Sequence, residues 1–167
     1  GPDAELLASH ALGLTRQAMI LAMPRLVAPD GAEALIARRL AHEPLAYIIG
    51  TRDFWTLSLR VTPDVLIPRA DSETLIEAAI EAFGAERTPK RILDLGTGSG
   101  ALLLAALDHW PDATGLGVDA SPAALAIARD NAQRCNMADR AQMRLGNWGA
   151  DVDEQFDLIL CNPPYIA

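Results

Sequence analysis

Lysine is nearly missing from this sequence: Lys90 is the single one among 167 residues, and no Gly-Lys-Ser or Gly-Lys-Thr triplet occurs. A phosphate-cradling P-loop needs that lysine and is excluded. Schiff-base chemistry would have to use one residue that falls in a surface linker. Cysteine is scarce as well. Cys135 and Cys161 stand in no ligand-like spacing, so neither a disulfide framework nor a metal site is indicated, and a reducing, cytoplasmic setting fits. No apolar run approaches the roughly 18 residues needed to cross a bilayer, Ala101–Leu107 being among the longest, and no charged-then-apolar leader opens the chain. No membrane partner is expected. Basic residues are outnumbered, 14 against 22 acidic ones, and a net charge of −8 repels phosphate backbones and disfavours nucleic acid as a partner.

What is present is a globular composition, 50% apolar and 22% charged. The length suits one ordinary domain, or a domain of about 100 residues with a smaller appendage. Gly1-Pro2 looks like a protease scar and is set aside from fold reasoning. Residues 1–49 read as a small helical domain. Leu6, Leu7, Ala11 and Leu14 recur at helical spacing, Thr15 can cap a second helix that Pro24 stops, and Asp30 with Glu33 resembles a capping box opening a third. Leu35, Ile36 and Leu40 form the apolar face of that third helix. So modest a core suits a docking module.

Residues 50–70 read as a β-hairpin linker, one arm through Phe54, Trp55, Leu57, Leu59 and Val61 and the other through Val65-Leu66-Ile67. From residue 71 to 167 strands and helices alternate. Asp71 caps a helix from about Ser72 to Phe83, closed by Gly84. Arg91–Leu95, Thr114–Val118, Met143–Leu145 and Phe156–Cys161 read as strands. Ala101–Trp110 and the segment from Ser121-Pro122 to about Asn136 read as helices between them. Such alternation predicts an α/β fold with a parallel sheet.

Asp94-Leu95-Gly96-Thr97-Gly98-Ser99-Gly100 sits where the first of these strands hands over to a helix. Glycines there permit a tight turn and a close ligand approach, and the helix start offers unpaired amides. Asp119, about 20 residues on at the end of the next strand, is placed to accept hydrogen bonds from two ribose hydroxyls. These features leave two cofactors open, because Gly96, Gly98 and Ala101 also satisfy the Gly-x-Gly-x-x-Ala dinucleotide fingerprint of NAD enzymes. The fourth strand decides between them. It ends in Asn162-Pro163-Pro164-Tyr165, whose prolines stiffen the backbone. The Asn162 oxygen and a nearby carbonyl can then face one planar group carrying two N–H bonds, with Tyr165 supplying a flat face.

That tetrapeptide, after a fourth strand, is similar to the signature of methyltransferases acting on planar nitrogen, both adenine-N6 nucleic acid enzymes and protein-glutamine N5 enzymes. Within that set the chain resembles the release-factor glutamine methyltransferases of HemK type over essentially its whole length. The matching stretches are Asp3–Leu14, Glu43–Gly50, Phe54-Trp55, Val65–Arg69, Ile92–Gly100 and Phe156–Ile166. One departure is Pro68-Arg69-Ala70-Asp71-Ser72-Glu73, where the family usually has Pro-Arg-Pro-Glu-Thr-Glu.

The resemblance implies a release-factor-docking helical domain, a hairpin linker and a Rossmann-like class I methyltransferase sheet. S-adenosylmethionine is the implied cofactor, peptide chain release factors the implied partner, and a glutamine side-chain amide nitrogen the methyl acceptor. It also implies that Gly96, Thr97, Gly98, Ser99 and Gly100 line the methionine and ribose portions, Asp119 holds the ribose and Trp148 borders the adenine. Asn162 would touch both cofactor and substrate amide, with Pro163, Pro164 and Tyr165 completing the glutamine site. The alternatives are an adenine-N6 nucleic acid enzyme and an inactive cofactor-binding fragment. Because the family's sheet has about seven strands and this chain supplies four, truncation at both ends, low activity and an exposed apolar edge at the fourth strand are expected. His10, His42 and His109 read as surface or packing residues, and Cys161 as a buried thiol.

Overall fold

The computed structural model describes residues 1–22, 27 and 29–163. The expected stop at Pro24 and two catalytic-loop residues, Pro164 and Tyr165, lie outside the described residues. Contacts divide the chain into two compact units, residues 1–50 and 51–167.

The first unit holds α1 (Pro2–Leu12), α2 (Arg16–Ala22), α3 (Ala32–Leu40) and α4 (Leu45–Ile49). Pro2 lies in the first turn of α1, where a missing N–H leaves no bond unmade, and Gly13 closes the helix in the left-handed region. Thr15 Oγ1 accepts the Ala18 amide at 3.2 Å, the expected cap of α2. The capping box at Asp30 does not form. Instead α3 opens at Gly31 with φ of 83°, a conformation cheap only for glycine, which moves the helix start one residue past the acid. Among the described residues Ile36 and Leu40 are 50% and 75% exposed and Leu35 is half-buried, so the apolar face expected on α3 is only partly covered. A unit this small buries few apolar side chains, chiefly Leu7, Met19 and Ile48, and Arg39 pairs with Asp3 at 2.9 Å to tie α3 to α1.

The second unit begins with an antiparallel hairpin of β1 (Thr51–Phe54) and β2 (Leu57–Arg60). Both strands fall within the stretch expected to be one arm, and residues 65–67 form no strand. The turn hides between them: Trp55 takes φ of 56°, and its amide donates to Glu73 Oε1 at 2.8 Å, a long-range contact that alternation cannot reveal. Phe54 and Leu59 are buried in the same cluster as Ile76 and the Ala101–Leu107 run, so the hairpin covers the core of the α/β unit.

A 3-10 turn (Ala70–Ser72) leads into α5 (Glu73–Phe83), closed by Gly84. Asp71 does not cap it through its carboxylate; its carbonyl accepts the Thr74 hydroxyl at 2.6 Å. Then follow β3 (Arg91–Leu95), α6 (Ala101–His109), β4 (Thr114–Asp119), α7 (Pro122–Arg134), β5 (Ala141–Leu145) and β6 (Leu158–Cys161). The four strands are parallel in the order β5-β4-β3-β6, so the expected α/β class holds. Every residue from Ala101 to Leu107 is buried, as a helix apolar on all sides requires. Ser121 Oγ accepts the Ala124 amide at 3.2 Å, which fixes the start of α7 beside Pro122.

The β3–β6 pairing sets up everything that follows. Asp157 Oδ2 accepts the amides of Lys90 at 2.7 Å and Arg91 at 2.9 Å, so the entrances of the two strands are pinned together. From there the register runs Ile92↔Leu158 to Leu95↔Cys161. Among the described residues β6 pairs with β3 alone, and Ile159 is 59% exposed, an apolar edge as expected. Cys161 is exposed too among the described residues, against the expectation of a buried thiol. Among the described residues no helix is long and apolar enough to cross a membrane.

Asn131 on α7 is fully buried and joins three segments. Its Oδ1 accepts the Arg60 amide at 2.7 Å, and its Nδ2 donates to the Arg60 carbonyl at 3.0 Å and the Ser99 carbonyl at 2.9 Å. One carboxamide thereby joins β2 to the glycine loop. Asn131→Ala leaves three main-chain groups without that partner and is expected to cost about 3 kcal/mol of unfolding free energy by urea titration. A loss below about 1 kcal/mol would show that water replaces the side chain.

Candidate active site

β3, β4 and β5 step across the sheet in one direction, and β6 lies on the other side of β3. Open α/β sheets bind ligands where the strand order reverses, outside the carboxyl ends of the strands. A cavity of about 780 Å³ lies there. Gly96, Thr97, Gly98 and Ser99 line it from the tip of β3, Asn162 and Pro163 from the tip of β6, and Arg69, Ser72 and Leu75 from the segment around the start of α5. Six of the residues selected from sequence therefore meet at one cavity.

Gly100, Asp119 and Trp148 stand beside it. Gly100 begins α6, and a Cβ there would come within 3.3 Å of Leu104 and 3.4 Å of Ala128, so helix packing accounts for this glycine. Asp119 accepts the Gly98 amide at 2.8 Å through Oδ2 and the Ser121 amide at 2.9 Å through Oδ1. It thus shapes the glycine loop, and a carboxylate with about four acceptor positions keeps two for a ligand. Trp148, 48% exposed with φ of 54°, lies over the loop: a Cβ on Gly96 would sit 3.8 Å from its ring. His10, His42 and His109 are exposed and line no part of the cavity. Although Cys161 is exposed, partial desolvation, then the charge of Asp94, pushes its thiol up from its ordinary value, away from a nucleophilic thiolate. Among the described residues no group of three or more His, Cys, Asp or Glu side chains is placed to hold a metal ion.

Sequence reasoning passed over Asp94, the buried acid at the mouth of the loop. Thr97 Oγ1 donates to its Oδ2 at 2.6 Å, and its Oδ1 has no hydrogen-bond partner although it is buried. The contact needs a glycine below it, since a Cβ on Gly117 would come within 2.9 Å of Thr97 Oγ1. An orphaned acceptor in a cavity wall marks where a donor, above all a cationic one, would be bound. Burial pushes the Asp94 carboxyl up to about 6, while the Thr97 hydrogen bond works in the opposite direction. The signal in the sequence was a single acid inside the apolar strand Arg91–Leu95.

Because the folded-state value lies above the ordinary 3.8, folding is favoured by protonation. The contribution is fully present below about pH 4 and is lost as pH rises through about 6, amounting to about 3 kcal/mol at most. Asp94→Asn removes this dependence. The variant is expected to gain stability relative to the parent between pH 4 and pH 8 in thermal unfolding of the ligand-free protein; a constant difference across that range would contradict the buried charge.

The sequence matches the family model "Methyltransferase small domain" over residues 72–167 and "PrmC N-terminal domain" over residues 1–50. It is 48% identical to a release factor glutamine methyltransferase of Rhodospirillum rubrum, across 98% of this chain and 51% of that protein. It is 44% identical to one of Cereibacter sphaeroides, across 99% of this chain and 59% of that protein. The chain thus spans between half and two thirds of the length of these relatives. Among solved structures, the N-terminal domain of human METTL16 in complex with SAH superposes with a TM-score of 0.55 at 18% identity, over 68% of this chain and 48% of that one, a likeness of fold. With one model matching more than half of its residues and the other matching its helical segment, the chain belongs to the methyltransferase small domain family, in its HemK/PrmC type.

Proposed function

We propose that this chain forms the cofactor-binding and amide-reading part of an S-adenosylmethionine-dependent protein-glutamine N5-methyltransferase acting on peptide chain release factors in the cytoplasm. The observation that carries the reading is the shared cavity of the β3 and β6 tips, with a glycine loop on one wall and Asn162 on the other. The names of the relatives supply the substrate class. Residues 1–50 would dock the release factor.

The residues present fit the cofactor. Gly96, Thr97, Gly98 and Ser99 offer main chain to its amino-acid and ribose portions, Asp119 retains acceptor positions for the ribose, and Trp148 offers an apolar face for the adenine. The unpartnered Asp94 Oδ1 and the net acidic charge suit its cationic groups. When bound, S-adenosylmethionine supplies an electrophilic methyl on a positively charged sulfur. The chain's part is to present the nucleophile. An amide nitrogen is a poor one because its lone pair is delocalised into the carbonyl. Asn162, with a loop carbonyl, would accept its N–H groups and hold the nitrogen facing the glycine wall, while Pro163, Pro164 and Tyr165 confine the glutamine. Fixing two reactants in this way is worth up to roughly 7–11 kcal/mol, so positioning carries most of the rate.

Asn162→Ala in the complete enzyme is expected to lower turnover by about 100-fold or more, with cofactor affinity weakened but measurable. Transfer of labelled methyl to a release factor, with DNA and RNA assayed in parallel, checks this. Near-normal turnover would remove Asn162 from the mechanism, and transfer to nucleic acid alone would overturn the substrate.

A further inference from the structure

We infer that Ser72 is a positioning residue for Asn162: its hydroxyl oxygen accepts the hydrogen bond from Asn162 Nδ2 at 2.8 Å and so holds that carboxamide in place at the cavity. The inference rests on the reading of Asn162 just given. A carboxamide has one donor edge and one acceptor edge of nearly equal size, so packing alone discriminates poorly between its two orientations. Only the acceptor edge can read an N–H group. With Nδ2 donating to the Ser72 oxygen, the carboxamide oxygen points away from Ser72.

Ser72 is itself held on a braced segment. Its amide donates to the Arg69 carbonyl at 3.0 Å, closing the 3-10 turn. One residue later, Glu73 accepts the Trp55 amide from the hairpin turn at 2.8 Å, and Ile76, one turn along α5, is fully buried. Ser72 and Asn162 are both half-buried, which shields their hydrogen bond from competing water. Asn162 thus takes its backbone position from β6, and its side chain is tied to the start of α5, 90 residues earlier in the chain.

The test compares Ser72→Ala and Ser72→Thr in the complete enzyme, the threonine keeping the hydroxyl. Ser72→Ala is expected to lower kcat for methyl transfer about ten-fold while S-adenosylhomocysteine affinity by calorimetry stays within about two-fold, and Ser72→Thr is expected to restore kcat to within about two-fold of the parent. A readout independent of turnover is the Asn162 side-chain NH2 signal in ¹⁵N NMR, identified by its loss in Asn162→Ala. It should move in Ser72→Ala and return in Ser72→Thr. An unmoved NH2 signal in Ser72→Ala, or a fall in ligand affinity with kcat unchanged, would overturn the assignment, the latter because Ser72 would then be a ligand contact. A parent that transfers no methyl group to any release factor but shows the moving NH2 signal would contradict the proposed function and support the Ser72–Asn162 link.

Discussion

The parallel pairing of β3 with β6 is the constraint from which the site follows. Parallel strands deliver their carboxyl ends to the same side of a sheet, and here the register ends at Leu95↔Cys161. Gly96 and Asn162 are the next residues on each strand, so whatever the two loops bind, they bind together. The register is fixed at the far end, where the Asp157 carboxylate takes the amides of Lys90 and Arg91. Those amides hold that carboxyl below its ordinary value, so the anchor keeps its charge across the neutral range. A slip of one residue would turn Leu160 out of the core and place Ile159 or Cys161 inside it.

Three polar side chains distant in sequence then fix the geometry that the sheet alone leaves loose. Asp119 takes the Gly98 amide, Asn131 takes the Ser99 carbonyl and the Arg60 main chain, and Ser72 takes the Asn162 amide. Each is a side chain satisfying a group in a loop or at a strand end; Asn131 is fully buried, and Asp119 and Ser72 are half-buried. The hairpin serves the same end. Its Phe54 and Leu59 fill the core beneath α5 and α6, and its turn amide on Glu73 braces the segment carrying Ser72. Against this background Asp94 is the exception, a buried carboxyl with one oxygen unmatched, sitting where a cationic ligand group would complete it.

Elements carried by local pattern were legible in the sequence. The four strands, the helices between them, the Ser121 cap and the Gly84 stop all follow from apolar runs and from punctuation by serine, proline and glycine, and the structure places them within a few residues. Elements fixed by distant partners were not. The two-residue hairpin turn depends on Glu73, and the cap of α3 falls on Gly31 rather than Asp30, neither of which a local window contains. At the site, the glycine loop and the loop at Asn162 were visible as motifs, and their adjacency was foreseen because strands alternating with helices imply a parallel sheet. Asp94, Asn131 and Ser72 were passed over for one reason: each owes its role to a partner or an environment that only the folded chain supplies.

The claim that one ligand is gripped by both strand tips has a direct test in a ¹⁵N NMR titration with S-adenosylhomocysteine. The prediction is that the amides of Gly96 to Gly100 and the Asn162 side-chain NH2 shift along one binding curve with a single dissociation constant. A titration that moves the glycine loop while the Asn162 signal stays in place, or moves neither, would contradict a shared site between β3 and β6.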